Sequence, residues 1–392
     1  MISFGKKIGS SLIVIGTAIG AGMLALPMIA ASAGLVPAIL LVIGMWALMT
    51  YTGLLVLEVN LSLPFYKNNF NSMARATLGR PGEFVAWVTC LVLLYALTAA
   101  YIAGNGSLLS EFIQTYFNAT ISSKVNAIAF TLVFGSAVFW STKCVDVVNR
   151  FLMSIKGLFL IVMLIMLLPH VNFAALSESH PHALLAAAPI FLTAFGYHTV
   201  IPSLTNYIGK EAKTLKWIII FGTTIPLLIY ILWLICALSI IPMAGFTSLT
   251  ENGSQVGEFV GLLSSIVQNK VVTLMVNGFA NIAMTTSFLG VSLGLFDFLA
   301  DAFKRQNHRI GRLQTTLLTF VPPFLFALFY PKGFIMALGY AGLCVAVLEV
   351  ILPAMMAYRL RQQKGSTLYQ VWGGKPLLLI VLLIGCSLVI MK

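Results

Sequence analysis

Runs of about twenty apolar residues recur from one end of this chain to the other, and nothing else in the sequence restricts its fold so strongly. Each run is long enough to cross roughly 30 Å of hydrocarbon as a helix. A bilayer has no water to meet a bare N–H or C=O, so such a run must close its hydrogen bonds within itself. The 392 residues are 59% hydrophobic and only 9% charged, too few charges to cover a water-facing surface. The expected fold is an all-α polytopic membrane protein with a single transmembrane domain, 1–392.

The runs predict spans at 8–32, 35–62, 83–112, 123–141, 147–169, 184–206, 216–241, 271–300, 313–330, 333–358 and 374–391, about eleven in all. The first is too long for the apolar core of a signal peptide, and Met1 to Lys7 reads as a short cytoplasmic tail. A net charge of +12 raises the question of nucleic acid, but the basic residues are scattered over short loops. With the N-terminus cytoplasmic, eighteen of the 23 lysines and arginines fall inside, including Lys67, Arg75, Lys210, Arg305 and Arg361. Only Lys124, Lys270, Lys332 and Lys392 fall outside. That asymmetry orients the chain and predicts a periplasmic C-terminus. The five cysteines lie in or beside spans with no CxxC pair, so neither a disulfide nor a metal site is expected. Two loop segments, 65–82 and 243–270, read equally as short surface helices or as solvated loops.

Within the first span, Gly16-Thr-Ala-Ile-Gly-Ala-Gly22 sets three glycines in seven residues. Each costs a helix interior about 1 kcal/mol relative to alanine. A second interruption, Ala194-Phe-Gly-Tyr-His-Thr-Val-Ile-Pro202, falls in the sixth span. Thr17-Ala-Ile-Gly20 matches Thr193-Ala-Phe-Gly196, each with a proline a few residues on, Pro27 and Pro202. Five spans separate the two, so they run antiparallel. Paired interruptions of this kind are the pattern of inverted repeats around a central site. The repeats would be 8–169 and 184–358, leaving 374–391 as an extra helix.

A helix broken at mid-membrane presents free N–H groups on one half and free C=O groups on the other. The first suit a carboxylate and the second an ammonium, together a receptor for a zwitterionic α-amino acid. The donors would be Ala21 and Gly22, the acceptors the Ala18 and Phe195 carbonyls, with Thr17, Gly20, Gly196 and Tyr197 around them. The competing reading is that the glycines only permit close helix packing.

The run Gly16 to Pro27, together with Trp46-Ala-Leu-Met, Leu57-Glu58-Val and Leu94 to Tyr101, resembles the hydroxy/aromatic amino acid permeases. Within these it is most similar to the bacterial tyrosine-specific permeases. The likeness continues through Ser154-Ile-Lys156, Phe195-Gly-Tyr-His198 and Ile201-Pro-Ser-Leu204. It implies a proton-coupled symporter of tyrosine in the bacterial inner membrane, on the leucine-transporter type 5+5 inverted-repeat fold. Tryptophan, or a broader range of aromatic and hydroxy amino acids, is the alternative cargo.

Helix 3 carries Tyr95, Thr98, Tyr101 and Asn105, and helix 8 carries Asn277, Asn281, Thr285 and Ser292 with Phe288. Polar groups facing lipid are expensive, so both stripes are expected to face the interior and line an aromatic slot. Plain interhelical hydrogen bonding would serve each residue as well. Lys156 lies about two turns into the fifth span, where a charged ammonium is costly. By resemblance it is the proton carrier, near the Gly16 and Ile19 carbonyls and Thr285 or Thr286. Otherwise it snorkels to the cytoplasm. His198 stands beside the second break, as a titrating group or as a satisfied local partner.

An enzyme reading rests on Gly290-Val-Ser-Leu-Gly294, which fits GxSxG, with Ser292 as nucleophile and His198 as base of an intramembrane protease. The nucleophile elbow needs a strand-to-helix turn, whereas this copy sits in an unbroken apolar run. No cofactor, nucleic acid or obligate protein partner is expected; the partners are substrate, proton and bilayer.

Overall fold

A computed structural model of the chain describes residues 3–64, 69–172, 184–304, 309–364 and 369–390. Lys67, Arg305, Lys392, His180, His182 and His308 lie outside them. The first apolar run forms α1 (Phe4–Ala18), capped by Ser3, and α2 (Gly22–Ala30), which a short 3-10 turn extends to Ala33. The two halves meet at 48°. Then come α3 (Leu35–Ser62) and α4 (Phe70–Phe117). The latter turns at Gly79, whose φ of +75° is a left-handed value that L side chains rarely adopt. Residues 70–78 thus form a short helix of their own ahead of the long span, the helical alternative for that loop.

After α5 (Ser123–Trp140) and α6 (Thr142–Leu167) comes the second interrupted run. It forms α7 (Leu184–Thr193), a 3-10 turn at His198–Val200 and α8 (Ile201–Ile208). The chain continues through α9 (Ala212–Ile240), α10 (Met243–Glu251), α11 (Val256–Val267) and α12 (Lys270–Ala302). The segment 243–270 therefore takes the helical alternative, as α10 and α11. The second is tied to α4 where the Gly257 N–H donates to Ser107 Oγ at 3.1 Å. Next stand α13 (Arg309–Phe329), α14 (Phe334–Val345), a π-helical turn at Ala346–Ile351, α15 (Leu352–Lys364) and α16 (Gly374–Ile390).

Among the described residues, eight helices are long and apolar enough to cross a membrane, nine if the bent α1–α2 pair is one span. The sequence predicts eleven. The shortfall comes from α7 and α8, short because they are halves of one interrupted run, and from α16, at 17 residues. The class is that of an all-helical, multi-pass membrane protein.

Close packing centres on the interrupted helices. Gly342 of α14 lies against the Pro189 backbone of α7 so tightly that a Cβ would overlap it. Glu58, buried on α3, bonds partners outside the broken helices. Arg361 clamps it with two bonds, Nε to Oε1 at 2.8 Å and Nη2 to Oε2 at 2.7 Å, and the Val371 N–H donates to Oε2 at 2.8 Å. A buried carboxylate needs that many donors. Glu58 therefore ties α3 to the segment that leads into α16.

Candidate functional site

The two breaks stand side by side. Gly22, at the start of α2, faces Ala194 so closely that a Cβ there would already be in van der Waals contact with its backbone. Both begin with the same local device. Thr17 donates to Ile13 O at 2.8 Å and Thr193 to Pro189 O at 2.9 Å, each reaching back four residues along its helix. Back-bonding of that kind bends helices.

One side chain holds both breaks. The Tyr230 hydroxyl, fully buried on α9, lies 2.6 Å from Ala18 O and 2.8 Å from Ala194 O. A phenol has one proton, so the two carbonyls share one donor. Its ring meets Phe195 edge-on at 5.1 Å. One turn further on, Trp233 donates to Met23 O at 3.0 Å. The sequence reading missed Tyr230. The signal available was a hydroxyl inside an apolar run, where it must find a partner.

At the other end of the first break, the Ala21 N–H donates to Ser287 Oγ at 3.1 Å. Ser287 also stands at hydrogen-bonding distance from the Tyr101 hydroxyl. Lys156 is 5% exposed and donates from Nζ to Ile19 O at 2.7 Å. It reaches inward to the break, which excludes the snorkelling alternative. The Thr285 and Thr286 hydroxyls named as its neighbours turn back on their own helix, to Asn281 O and Ala283 O. Gly16 packs against Met153 of α6, one turn before Lys156.

The second break carries its own ionisable group. His198, fully buried, places Nδ1 2.7 Å from Glu349 Oε2 on the π-helical turn. The two atoms lie within ion-pair distance, although the angle departs from that of a directed hydrogen bond. The other ring nitrogen, Nε2, lies 2.8 Å from Thr52 Oγ1 on α3. Beside it, Tyr197 donates to Met49 O at 3.2 Å, in space that only a glycine at position 53 leaves open.

Some expected site residues point elsewhere. Tyr95 donates to Leu318 O of α13 at 2.8 Å. It is six positions from Tyr101, which rotates it roughly 120° around α4, so the two cannot share a face. Thr98 and Asn105 are within about 60° of Tyr101, both buried, and bond back to Leu94 O and Tyr101 O. Phe288 meets Phe130 of α5 edge-on at 4.9 Å and Phe320 of α13 at a tilt at 5.8 Å, away from the breaks. The helix-8 stripe follows it. Asn277 and Asn281 donate one turn back, and Ser287, on the opposite side of α12 from Thr285, is what reaches the break. Ser292 sits mid-helix in α12, and His198 engages Thr52 and Glu349 instead. No serine–histidine couple forms.

Neither of two sizeable cavities adjoins the breaks. One of about 350 Å³ lies between α5 and α13, lined by Thr131, Phe320 and Phe324 among others. Another of about 280 Å³ is bordered by His170, Ser239 and Val267. At the breaks, the buried Tyr230 hydroxyl lies between the two carbonyls.

The chain matches the tryptophan/tyrosine permease family over residues 5–392. It is 38% identical over 383 residues to "Tyrosine-specific transport system 1" of Haemophilus influenzae, across 97% of this chain and 94% of that protein. System 2 of the same organism is 40% identical over the same shares. A tryptophan-specific transport protein of Pseudomonas aeruginosa is 37% identical over 395 residues, 97% of this chain and 92% of that one. With that match running nearly end to end, the chain belongs to the tryptophan/tyrosine permease family, a family of transporters rather than enzymes.

Proposed function

We propose that this protein imports an aromatic amino acid, L-tyrosine foremost, together with protons across the bacterial inner membrane by alternating access. The architecture in this reading is the leucine-transporter type. Two inverted five-helix repeats, 8–169 and 184–358, are followed by 374–391 as an eleventh span, with the N-terminus cytoplasmic and the C-terminus periplasmic. The observation that carries it is the meeting of two broken helices under one phenol, with a buried ammonium on the Ile19 carbonyl. The matched threonine bonds at Thr17 and Thr193 support the repeat.

Each polar end of a zwitterion finds a counterpart. The N-terminus of α2 offers the Ala21 and Gly22 N–H groups to a carboxylate. Ser287 Oγ occupies the first of these in the closed structure. An arriving carboxylate replaces it as acceptor, and the freed hydroxyl turns to donate to the same carboxylate. The ammonium takes the carbonyls of Ala18 and Phe195, the former held meanwhile by Tyr230. Thr98, Tyr101 and Asn105, with Gly20, Gly196 and Tyr197, border the slot. A protonated Lys156 gives Ile19 O a charge-assisted bond, and a neutral one gives a weaker bond. Proton loss therefore loosens the first break, which is the link from proton to conformation.

Relatives named for tyrosine and for tryptophan stand at nearly equal identity, so tryptophan is the runner-up cargo. The test is uptake of labelled L-tyrosine into proteoliposomes under an inward proton gradient without sodium. Concentrative uptake that protonophores abolish is expected. Uptake that requires sodium and ignores protonophores overturns the coupling. Competition by tryptophan, phenylalanine and serine ranks the cargo, and displacement by tryptophan at lower concentration than by tyrosine replaces tyrosine as the substrate.

A further inference from the structure

The transport cycle sketched above uses the ionisable group at the first break and leaves the pair at the second idle. His198 and Glu349 are 0% and 3% exposed, and they join two separate elements, the turn ahead of α8 and the π-helical turn between α14 and α15. A π turn strains the helix that contains it and commonly marks a functional position. Nδ1 lies 2.7 Å from Glu349 Oε2, and Nε2 lies 2.8 Å from the Thr52 hydroxyl, which donates or accepts according to the ring's tautomer. A proton gained by this buried pair therefore finds a carboxylate on one side of the ring and a hydroxyl able to accept on the other.

We propose that His198 and Glu349 together form a second proton-binding site, at the α7–α8 break, which fills and empties once per transport cycle. The inference rests on the proton-coupled reading above. With its proton the pair is an imidazolium beside a carboxylate, neutral overall. Without it, one uncompensated negative charge stays buried in a low-dielectric interior. Among the described residues, the groups seen to face the pair are the Thr52 hydroxyl on α3, the Cys90 thiol on α4 and the Tyr197 phenol in the break itself, none of them a cation. The closed structure therefore holds the proton, and release needs water at the break, which opening of α7 and α8 away from α14 supplies. The proton leaves from Nδ1 or Oε2 to that water, and no other bond changes.

The experiment measures how many protons accompany each tyrosine. In proteoliposomes with a fixed L-tyrosine gradient, membrane potential is varied until net tyrosine flux stops. The wild type is expected to move one proton more per tyrosine than Glu349→Gln, and Glu349→Asp to keep the wild-type ratio. An equal ratio in wild type and Glu349→Gln overturns the second site and leaves the first intact. Flux in the wild type that is indifferent to pH and potential overturns both. Should Glu349→Gln and His198→Gln both fail to transport, purified protein in weak buffer is mixed with saturating L-tyrosine and a pH-sensitive dye. Proton exchange on binding that differs between wild type and Glu349→Gln supports the site, and identical exchange overturns it.

Discussion

The two helix breaks solve one backbone problem with different chemistry. The first is rich in glycine and holds no ionisable side chain of its own, so its cation comes from another helix, as Lys156 of α6 on Ile19 O. The second has one glycine, Gly196, and holds its ionisable group within itself, as His198 against Glu349. Tyr230 belongs to neither and touches both. An unpaired carbonyl in a dry interior must find a donor, and the donor can come from a helix distant in sequence. The first break thus has a lysine on its Ile19 carbonyl, the second a histidine against a carboxylate, and a single phenol bonds a carbonyl at each.

The sharpest way to break this comparison is at Lys156. Lys156→Ala is expected to abolish proton-driven accumulation of tyrosine while tyrosine–tyrosine counterflow persists. Undiminished accumulation in that variant removes Lys156 from coupling. Next comes the shared phenol. Tyr230→Phe leaves two buried carbonyls without their donor, a loss of about 1–3 kcal/mol for each unsatisfied group. A lower melting temperature is expected, with a larger stabilisation by added tyrosine than in the wild type, because the ammonium refills the vacated Ala18 carbonyl. Thermal unfolding with and without tyrosine checks it, and an unchanged ligand shift would separate Tyr230 from the ammonium site.

A smaller effect is expected at Ser287. Ser287→Ala removes the resident acceptor from Ala21 and the hydroxyl that would meet the carboxylate. A rise in KM of roughly fivefold to tenfold corresponds to the about 1–1.4 kcal/mol of one hydrogen bond. Smallest of all is Tyr95→Phe, whose hydroxyl serves α13, with tyrosine KM expected within about twofold of wild type. A Tyr95→Phe effect larger than that of Ser287→Ala would reverse the assignment of the two faces.

Much of this was legible in the residues. The apolar runs located the helices because hydrocarbon leaves no other way to satisfy the backbone. Gly16 to Gly22 and Ala194 to Pro202 located both breaks because glycine and proline weaken a helix wherever it packs. Lys156 was legible as an ammonium too deep for a loop. What misled was periodicity over long helices. Tyr95 and Tyr101 look like one stripe when counted in steps of three, yet a rotation of 100° per residue carries them apart. On α12 the visible polar residues, Asn281 and Thr285, run beside Phe288 towards α5, and the break is met instead by Ser287 on the other side.

Local rules about lipid, glycine and proline are enough to make this chain a bundle of membrane helices interrupted at two points. Which side chains serve those interruptions is settled by how the helices pack. Tyr230, Ser287 and Glu349 lie on helices far away in sequence, and a donor within 3 Å of a given carbonyl is a property of helix packing that no local pattern encodes.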